Sequence, residues 1–186
     1  VKAVKVDGAE ATVDNVKAGA YKLSRPFNIA TKGEPTGVAK DFISFILSKE
    51  GQAVVTDNKY IAVNDAAESF VSDGSSGQIA VGGSSSVSPV MEKLIEAYKS
   101  VNPNASIDLQ TSDSTSGMTG AMDGTFAIGM ASRELKDEEA AQLTGTAIAL
   151  DGIAVIVNPA NTIDELSMDQ IKSIYVGDIT DWGDPA

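Results

Sequence analysis

The sequence predicts an α/β fold with a mostly parallel sheet. Segments with a strand pattern alternate with segments of helical periodicity along most of the 186 residues, as in parallel sheets. The apolar run GIAVIVN at 152–158 is nearly continuous, which is typical of a strand covered on both faces. The length suffices for one well-buried domain and is small for two, so we expect one compact domain.

The first third of the chain predicts a strand, a helix, a strand and a second helix. VKAVKV at 1–6 alternates as a strand does, and TVDNVKAG at 12–19 suits a short helix. A second strand is expected within 21–33. Residues 37–51 carry apolar side chains at helical spacing, and Gly51 is the expected end of that helix.

The remainder begins with a linker and then alternates again. Residues 64–77 are acidic, small and rich in Gly and Ser, so they predict a linker. The elements expected after it are a strand at 78–81, a helix that Ser88 caps with Pro89 at its first position, a strand at 106–110, a helix at 114–122, a buried strand at 125–132, and a last helix opened by a capping box of Ser167 and Gln170.

Composition excludes several classes of protein. The chain has 26 acidic and 14 basic residues, a net charge of −12, which argues against nucleic acid or an anionic membrane as partner. It has no cysteine and no histidine, so disulfides, thiolate chemistry and Cys/His metal sites are excluded. No apolar run approaches a membrane span, and we expect no signal peptide within this sequence.

Three polar loops follow predicted strands and form the candidate site. They are 82–88 (GGSSSVS), 111–117 (TSDSTSG) and 132–134 (SRE). In parallel sheets such loops meet at one edge, where helix N-termini, serine hydroxyls and an arginine suit an oxyanion. The alternative for the serines is helix capping alone, and the alternative for Arg133 is a surface or hinge ion pair. Asp113 is expected to be a solvated or capping carboxylate; the alternative is that it accepts a proton from a protonated oxyanion.

Enzymatic functions receive little support. The sequence has no G-x-x-x-x-G-K-[ST] motif and no G-x-S-x-G motif, and without histidine a Ser-His-Asp hydrolase is excluded. The carboxylates at 137–139 lie in a charged run that predicts a solvated helix face. Phosphoester hydrolysis would need a metal cluster or a base that the sequence does not offer.

Several long motifs resemble the phosphate-binding proteins of ABC transporters, the PstS type. IAVGGSSSVSPVMEKLIEAYKSVNP, TSDSTSGMTGAMDGTFAIGMASRELKDEE and ALDGIAVIVNPAN resemble the N-terminal portion of that family. The first 55 residues resemble its C-terminal portion. The resemblance implies one lobe of a type II periplasmic-binding-protein-like fold: a three-layer α/β/α sandwich with a mostly parallel sheet and a crossing antiparallel strand.

The order of the two portions is inverted relative to the family. Residues 1–63 resemble the C-terminal part of lobe 1, residues 64–77 join the old ends, and residues 78–186 resemble the N-terminal part. This order implies a circularly permuted lobe, of either engineered origin or origin in a tandem array. The two pieces could also swap between chains to form a dimer.

The resemblance also assigns the site. Ser85 and the backbone of Ser86 match the first phosphate-binding loop, and Ser114 matches the second. Ser132 stands where many members place an aspartate, and Arg133 follows it. The implied function is capture of inorganic phosphate outside the cell for an ABC permease, without catalysis, cofactor or metal. Binding is expected to be weak because the second lobe is absent; the alternative is a non-binding engineered or excised lobe.

Overall fold

The structure, a computed structural model, describes residues 1–183. The strands are β1 (Lys2–Ala3), β2 (Lys5–Val6), β3 (Ser24–Thr31), β4 (Gly77–Ser84), β5 (Ala105–Ser112), β6 (Ile128–Ala131), β7 (Thr144–Gly152), β8 (Ile156–Val157) and β9 (Glu165–Leu166). The helices are α1 (Val13–Lys17), α2 (Gly37–Leu47), α3 (Lys49–Asp57), α4 (Ser88–Val101), α5 (Ser114–Asp123), α6 (Asp137–Ala140) and α7 (Met168–Val176).

The chain divides into two compact units. One unit is Arg25–Asp151, and the other combines Val1–Ser24 with the described residues from Gly152 onward. The last three residues of the predicted segment 78–186 lie outside the described residues. The unit Arg25–Asp151 contains most of the five-stranded sheet and a hydrophobic core.

A five-stranded mixed sheet organises the larger unit. Its order is β5-β4-β6-β3-β7. β4 is parallel to both β5 and β6, and β3 is antiparallel to β6. The predicted mostly parallel arrangement with a crossing antiparallel strand is therefore confirmed.

Helices cover both faces of this sheet. Ile29 and Met130 belong to a core cluster with side chains of α2 and α4. Their strand neighbours Ala30 and Ala131 belong to a second cluster with Met118 of α5. Since successive strand residues point to opposite faces, the two clusters lie on opposite sides of the sheet. This is the predicted three-layer sandwich.

The helix predicted at 37–51 is two helices that meet at Ser48. The Ser48 hydroxyl donates to the carbonyl of Phe45 (2.6 Å) and accepts the N–H of Gly51 (3.2 Å), so it ends α2 and caps α3. Gly51 lies in the first turn of α3, and the prediction that it stops a helix was wrong. A Cβ there would collide with the Phe45 carbonyl, so glycine permits the close approach of the two helices.

The prediction of a strand covered on both faces at 152–158 was also wrong. β7 ends at Gly152, and β8 pairs with β1 in a two-stranded sheet rather than in the five-stranded one. Ile153 and Ile156 are 43% and 56% exposed. An apolar run alone does not reveal whether a second layer of protein covers it.

The last helix follows its local signals closely. Ser167 caps α7 by accepting the N–H of Gln170 (3.1 Å), and the Gln170 side chain accepts the N–H of Ser167 (2.7 Å). The capping box is therefore confirmed. No helix within residues 1–183 is long and apolar enough to cross a membrane.

The segment predicted as a linker is fixed by a buried carboxylate. Residues 64–76 form no helix or strand, and Gly77 begins β4. Asp41 of α2 is 3% exposed and lies beneath this segment. It accepts four hydrogen bonds, from Ser72 Oγ (2.8 Å), Asp73 N–H (2.9 Å), Tyr98 Oη (2.7 Å) and Asn102 Nδ2 (3.1 Å). The segment is therefore tethered to α2 and α4 by side-chain chemistry.

Candidate anion-binding site

The three polar loops meet at the carboxyl ends of β4, β5 and β6. The N–H of Ser85 donates to the carbonyl of Ser112 (2.9 Å), which joins the first loop to the second. The N–H of Ser132 donates to Ser114 Oγ (3.1 Å), which joins the third loop to the second. Three predicted site residues, Ser85, Ser114 and Ser132, thus take part in two short contacts between the loops, and the parallel pairing of these strands explains why.

The first loop does not use Ser88 as its cap. Ser88 is the first residue of α4 and is buried, and the residue before it, Val87, occupies the cap position without a side-chain bond. The Ser88 hydroxyl instead contacts Thr111 Oγ1 of β5 (2.9 Å) and donates to the Ser84 carbonyl (3.3 Å). It ties the helix to the sheet, and the exposed Ser85 and half-buried Ser86 are left at the loop surface.

The second loop begins with a true cap. Asp113 accepts both the N–H (3.0 Å) and the hydroxyl (2.7 Å) of Ser116, which confirms the expected capping role. The hydrogen bond from the Ser116 hydroxyl, helped by that from its N–H, holds the pKa of Asp113 below its usual value. The carboxylate therefore stays ionised at neutral pH and satisfies the start of α5.

Glycines bring the start of α5 close to the sheet. A Cβ on Gly117 would lie 2.6 Å from the carbonyl oxygen of Met130 and 2.7 Å from the Cα of Gly83. Gly83 itself has φ +135°, in the region that favours glycine. Only residues without side chains permit this contact, so these glycines bring the first turn of α5 within reach of the third loop.

Arg133 is held by the buried carboxylate of Glu139, although the charged run at 137–139 predicted a solvated helix face. Glu139 is 2% exposed, and its oxygens accept Nη1 (2.7 Å) and Nη2 (2.8 Å) of Arg133. Nη1 also donates to the Glu134 carbonyl (2.9 Å), and Nη2 contacts Thr115 Oγ1 (3.4 Å). The bonds from Arg133 lower the pKa of Glu139, and Glu139 raises that of Arg133. The ion pair considered as the alternative for Arg133 is present.

Backbone donors are available at the loop edge. Within residues 1–183, the N–H groups of Ser86 and Ser114 donate to no protein acceptor. Both serines are half-buried and lie at the N-terminal ends of α4 and α5, where the helix dipole is positive. Among the described residues no group of acidic, Cys or His side chains could hold a metal ion. The arrangement suits an anion bound by dipoles and hydroxyls.

Comparison with known proteins shows which class of protein this chain belongs to. The sequence profile of the PBP superfamily domain matches residues 69–186. Phosphate-binding protein PstS 2 of Streptococcus agalactiae is 52% identical over 186 residues, which is 99% of this chain and 63% of that protein. The class is therefore that of binding proteins with the periplasmic-binding-protein fold.

Solved structures narrow the assignment. The crystal structure of a phosphate ABC transporter phosphate-binding protein from Streptococcus pneumoniae TIGR4 superposes with a TM-score of 0.94 at 46% identity, covering all of this chain and 72% of that one. A putative phosphate ABC transporter substrate-binding protein with bound phosphate, from Clostridium perfringens, gives a TM-score of 0.51 at 44% identity, over 57% of this chain and 44% of its own. The chain belongs to the PstS-type family of phosphate-binding proteins.

The relatives also bear on the inverted order. The Streptococcus agalactiae protein aligns with 99% of this chain, so the order of residues 1–63 and 78–186 is shared with that protein. The permuted order thus requires neither an engineered origin nor a tandem array. The chain spans 63% of the length of that relative.

Proposed function

We propose that this chain supplies one half of a binding site for inorganic phosphate in an ABC importer's binding protein. The observation that carries the proposal is the meeting of two helix N-termini and three serine-bearing loops at one sheet edge, with the N–H groups of Ser86 and Ser114 unengaged. Its relatives are named for phosphate, and one of the superposed structures holds it.

The proposed site holds its ligand with dipoles and hydroxyls. Ser85, Ser86, Ser114 and Ser132 supply the donors, and Arg133 contributes through its position, since Glu139 occupies its fork. An oxyanion accepts such bonds readily, and each is worth about 1.5–3 kcal/mol when the acceptor is charged.

Affinity is proposed to be weak for this chain alone. The chain spans 63% of the length of a relative, and donors on the remaining part would add contacts to the anion. A half-site leaves the oxyanion partly in water, so the loss of several donors weakens binding by orders of magnitude. The net charge of −12 adds repulsion that salt screens beyond about 10 Å.

The biological setting of the proposal is capture outside the cytoplasm. A binding protein of an importer delivers its ligand to a permease and performs no chemistry on it. We therefore propose an extracellular or cell-surface location, docking to an ABC permease, and no catalytic activity.

Titration calorimetry with inorganic phosphate tests the proposal. The wild-type chain is expected to bind weakly, and the double variant Ser85→Ala/Ser114→Ala is expected to abolish the heat because both loops lose a hydroxyl. Ser100→Ala is the matched control, since Ser100 is exposed on the last turn of α4 and bonds only locally to Glu96. Equal binding by the double variant and the control would refute the site.

The alternative, a lobe that does not bind, is an outcome of the same experiment. Backbone amide signals of Ser86 and Ser114 in an NMR titration with phosphate, and separately with sulfate, report contact even when the heat is small. If neither signal moves with either anion, the chain alone does not bind them, as the alternative proposes.

A further inference from the structure

The contacts of Arg133 and Glu139 join neighbouring elements of the protein, and they leave little of the guanidinium free to bind a ligand. The two Nη atoms carry four N–H groups, and these face two Glu139 oxygens, one carbonyl and the Thr115 hydroxyl at 2.7–3.4 Å. Only Nε–H remains outside this set. A guanidinium whose Nη–H groups are engaged in this way cannot also bind an oxyanion through two hydrogen bonds.

The pair connects three elements that carry the proposed site. Arg133 follows β6, Thr115 lies in the first turn of α5, and Glu139 belongs to α6. The backbone carbonyl of Arg133 accepts Nδ2 of Asn28 in β3 (2.9 Å), which fixes the third loop from the sheet side. Ser132, beside Arg133, is the residue whose N–H reaches Ser114.

Glu139 is itself held firmly. It is 2% exposed, and the N–H of Lys136 donates to its Oε2 (2.8 Å). A buried carboxylate needs such compensation, since an unpaired buried charge is strongly destabilising. The side chain therefore has one orientation, and that orientation sets the position of the guanidinium.

We propose that Glu139 is a positioning residue of the anion site, acting through Arg133. It fixes the guanidinium in a position where it links the third loop to the first turn of α5, so that the donors of Ser132 and Ser114 stay aligned. It also neutralises the arginine, so the site binds its anion without an uncompensated positive charge. This inference rests on the proposed function for its ligand and on the structure for its geometry.

Substitution of Glu139 distinguishes a positioning role of this residue from an effect of its charge on anion binding. Glu139→Gln uncovers a positive charge beside the site, yet the loss of alignment is expected to weaken phosphate binding about tenfold, the equivalent of one charge-assisted hydrogen bond. Arg133→Lys keeps the charge but cannot span Glu139, Glu134 and Thr115 together, so the same weakening is expected. If Arg133 were instead a direct charged ligand, Glu139→Gln would tighten binding and steepen its dependence on salt, and that result would overturn the proposal.

A second measurement needs no ligand. The amide of Ser132 is hydrogen-bonded to Ser114 Oγ, so its hydrogen exchange in the full chain reports the alignment directly. Glu139→Gln is expected to speed exchange at Ser132 about tenfold and to leave Val81 in β4 unchanged. Unchanged exchange at Ser132 would overturn the inference, even if the wild-type chain proved not to bind phosphate. Failure of phosphate binding with faster exchange would count against the proposed function alone.

A destabilised control excludes a general loss of stability. Val55→Ala removes methyl groups from a fully buried side chain of α3 that contributes nothing to the site. This variant is expected to unfold at a lower temperature while keeping wild-type phosphate affinity and the wild-type difference in exchange between Ser132 and Val81. A loss of affinity in Val55→Ala equal to that in Glu139→Gln would overturn the assigned role.

Discussion

Asp41→Asn tests whether the buried carboxylate holds the segment 64–76 in place. The carboxylate accepts four hydrogen bonds, three of them on Oδ2, from Ser72, Tyr98 and Asn102. In the variant an NH₂ group faces those three donors. The two hydroxyls can turn to accept, but Asn102 cannot turn without losing its bond to the Ser75 carbonyl (2.8 Å).

The expected loss of stability follows from these hydrogen bonds. In the variant, the new NH₂ group and the NH₂ group of Asn102 face each other as two donors, and the remaining hydrogen bonds lose their charged acceptor. Together these losses lower the free energy of unfolding by about 2–4 kcal/mol. Burial alone would raise the pKa of Asp41, but the hydrogen bonds from Asp73, Tyr98, Ser72 and Asn102 outweigh it and lower the pKa. Because the folded-state pKa is lowered, this stabilisation is present above the unfolded value of about 4 and is lost as pH falls through the folded value.

Urea unfolding followed by far-ultraviolet circular dichroism measures this effect. Glu92→Gln, an exposed substitution on α4 that removes one negative charge, is the matched control and is expected to leave the midpoint unchanged. The difference between wild type and Asp41→Asn is expected to shrink from about pH 7 to about pH 3. A difference below about 1 kcal/mol at neutral pH, or one independent of pH, would refute the reasoning.

Two further substitutions test close packing and a buried hydroxyl. Gly117→Ala places a Cβ against the Met130 carbonyl and the Gly83 Cα, so we expect about 1–3 kcal/mol lower stability by urea unfolding together with weaker phosphate binding; unchanged values would show that α5 shifts freely. Tyr21→Phe removes the bond from the 1% exposed Tyr21 to the Ile153 carbonyl (2.8 Å), and we expect a loss of about 1 kcal/mol. An unchanged melting temperature in Tyr21→Phe would show that this bond contributes nothing net.

The failures of sequence interpretation share a cause. Ser88 and Gly51 stand where caps and stops are common, yet Ser88 bonds to Thr111 of β5 and Gly51 permits a close contact between two helices. Ile153 is apolar and exposed, because apolar character does not show whether another layer lies above a strand. Each of these outcomes depends on a partner from another element.

The partners of two charged side chains also could not be predicted from the sequence. The acidic run at 137–139 predicted a solvated face, and only the folded chain revealed that Glu139 turns inward to Arg133. Likewise nothing local marks Asp41 as buried, since all four of its donors lie more than 30 residues away in the sequence.

The sequence by itself determined the alternation of strands and helices, the capping box of Ser167, the cap at Asp113 and the family with its inverted order. These signals act over a few residues or survive as motifs, so they need no three-dimensional partner. Tertiary structure alone decided that the chain packs as two units, that Glu139 fills the fork of Arg133, and that the serine loops touch through Ser85 and Ser132. Burial and pairing are set by which distant segments meet, and that is decided when the chain folds.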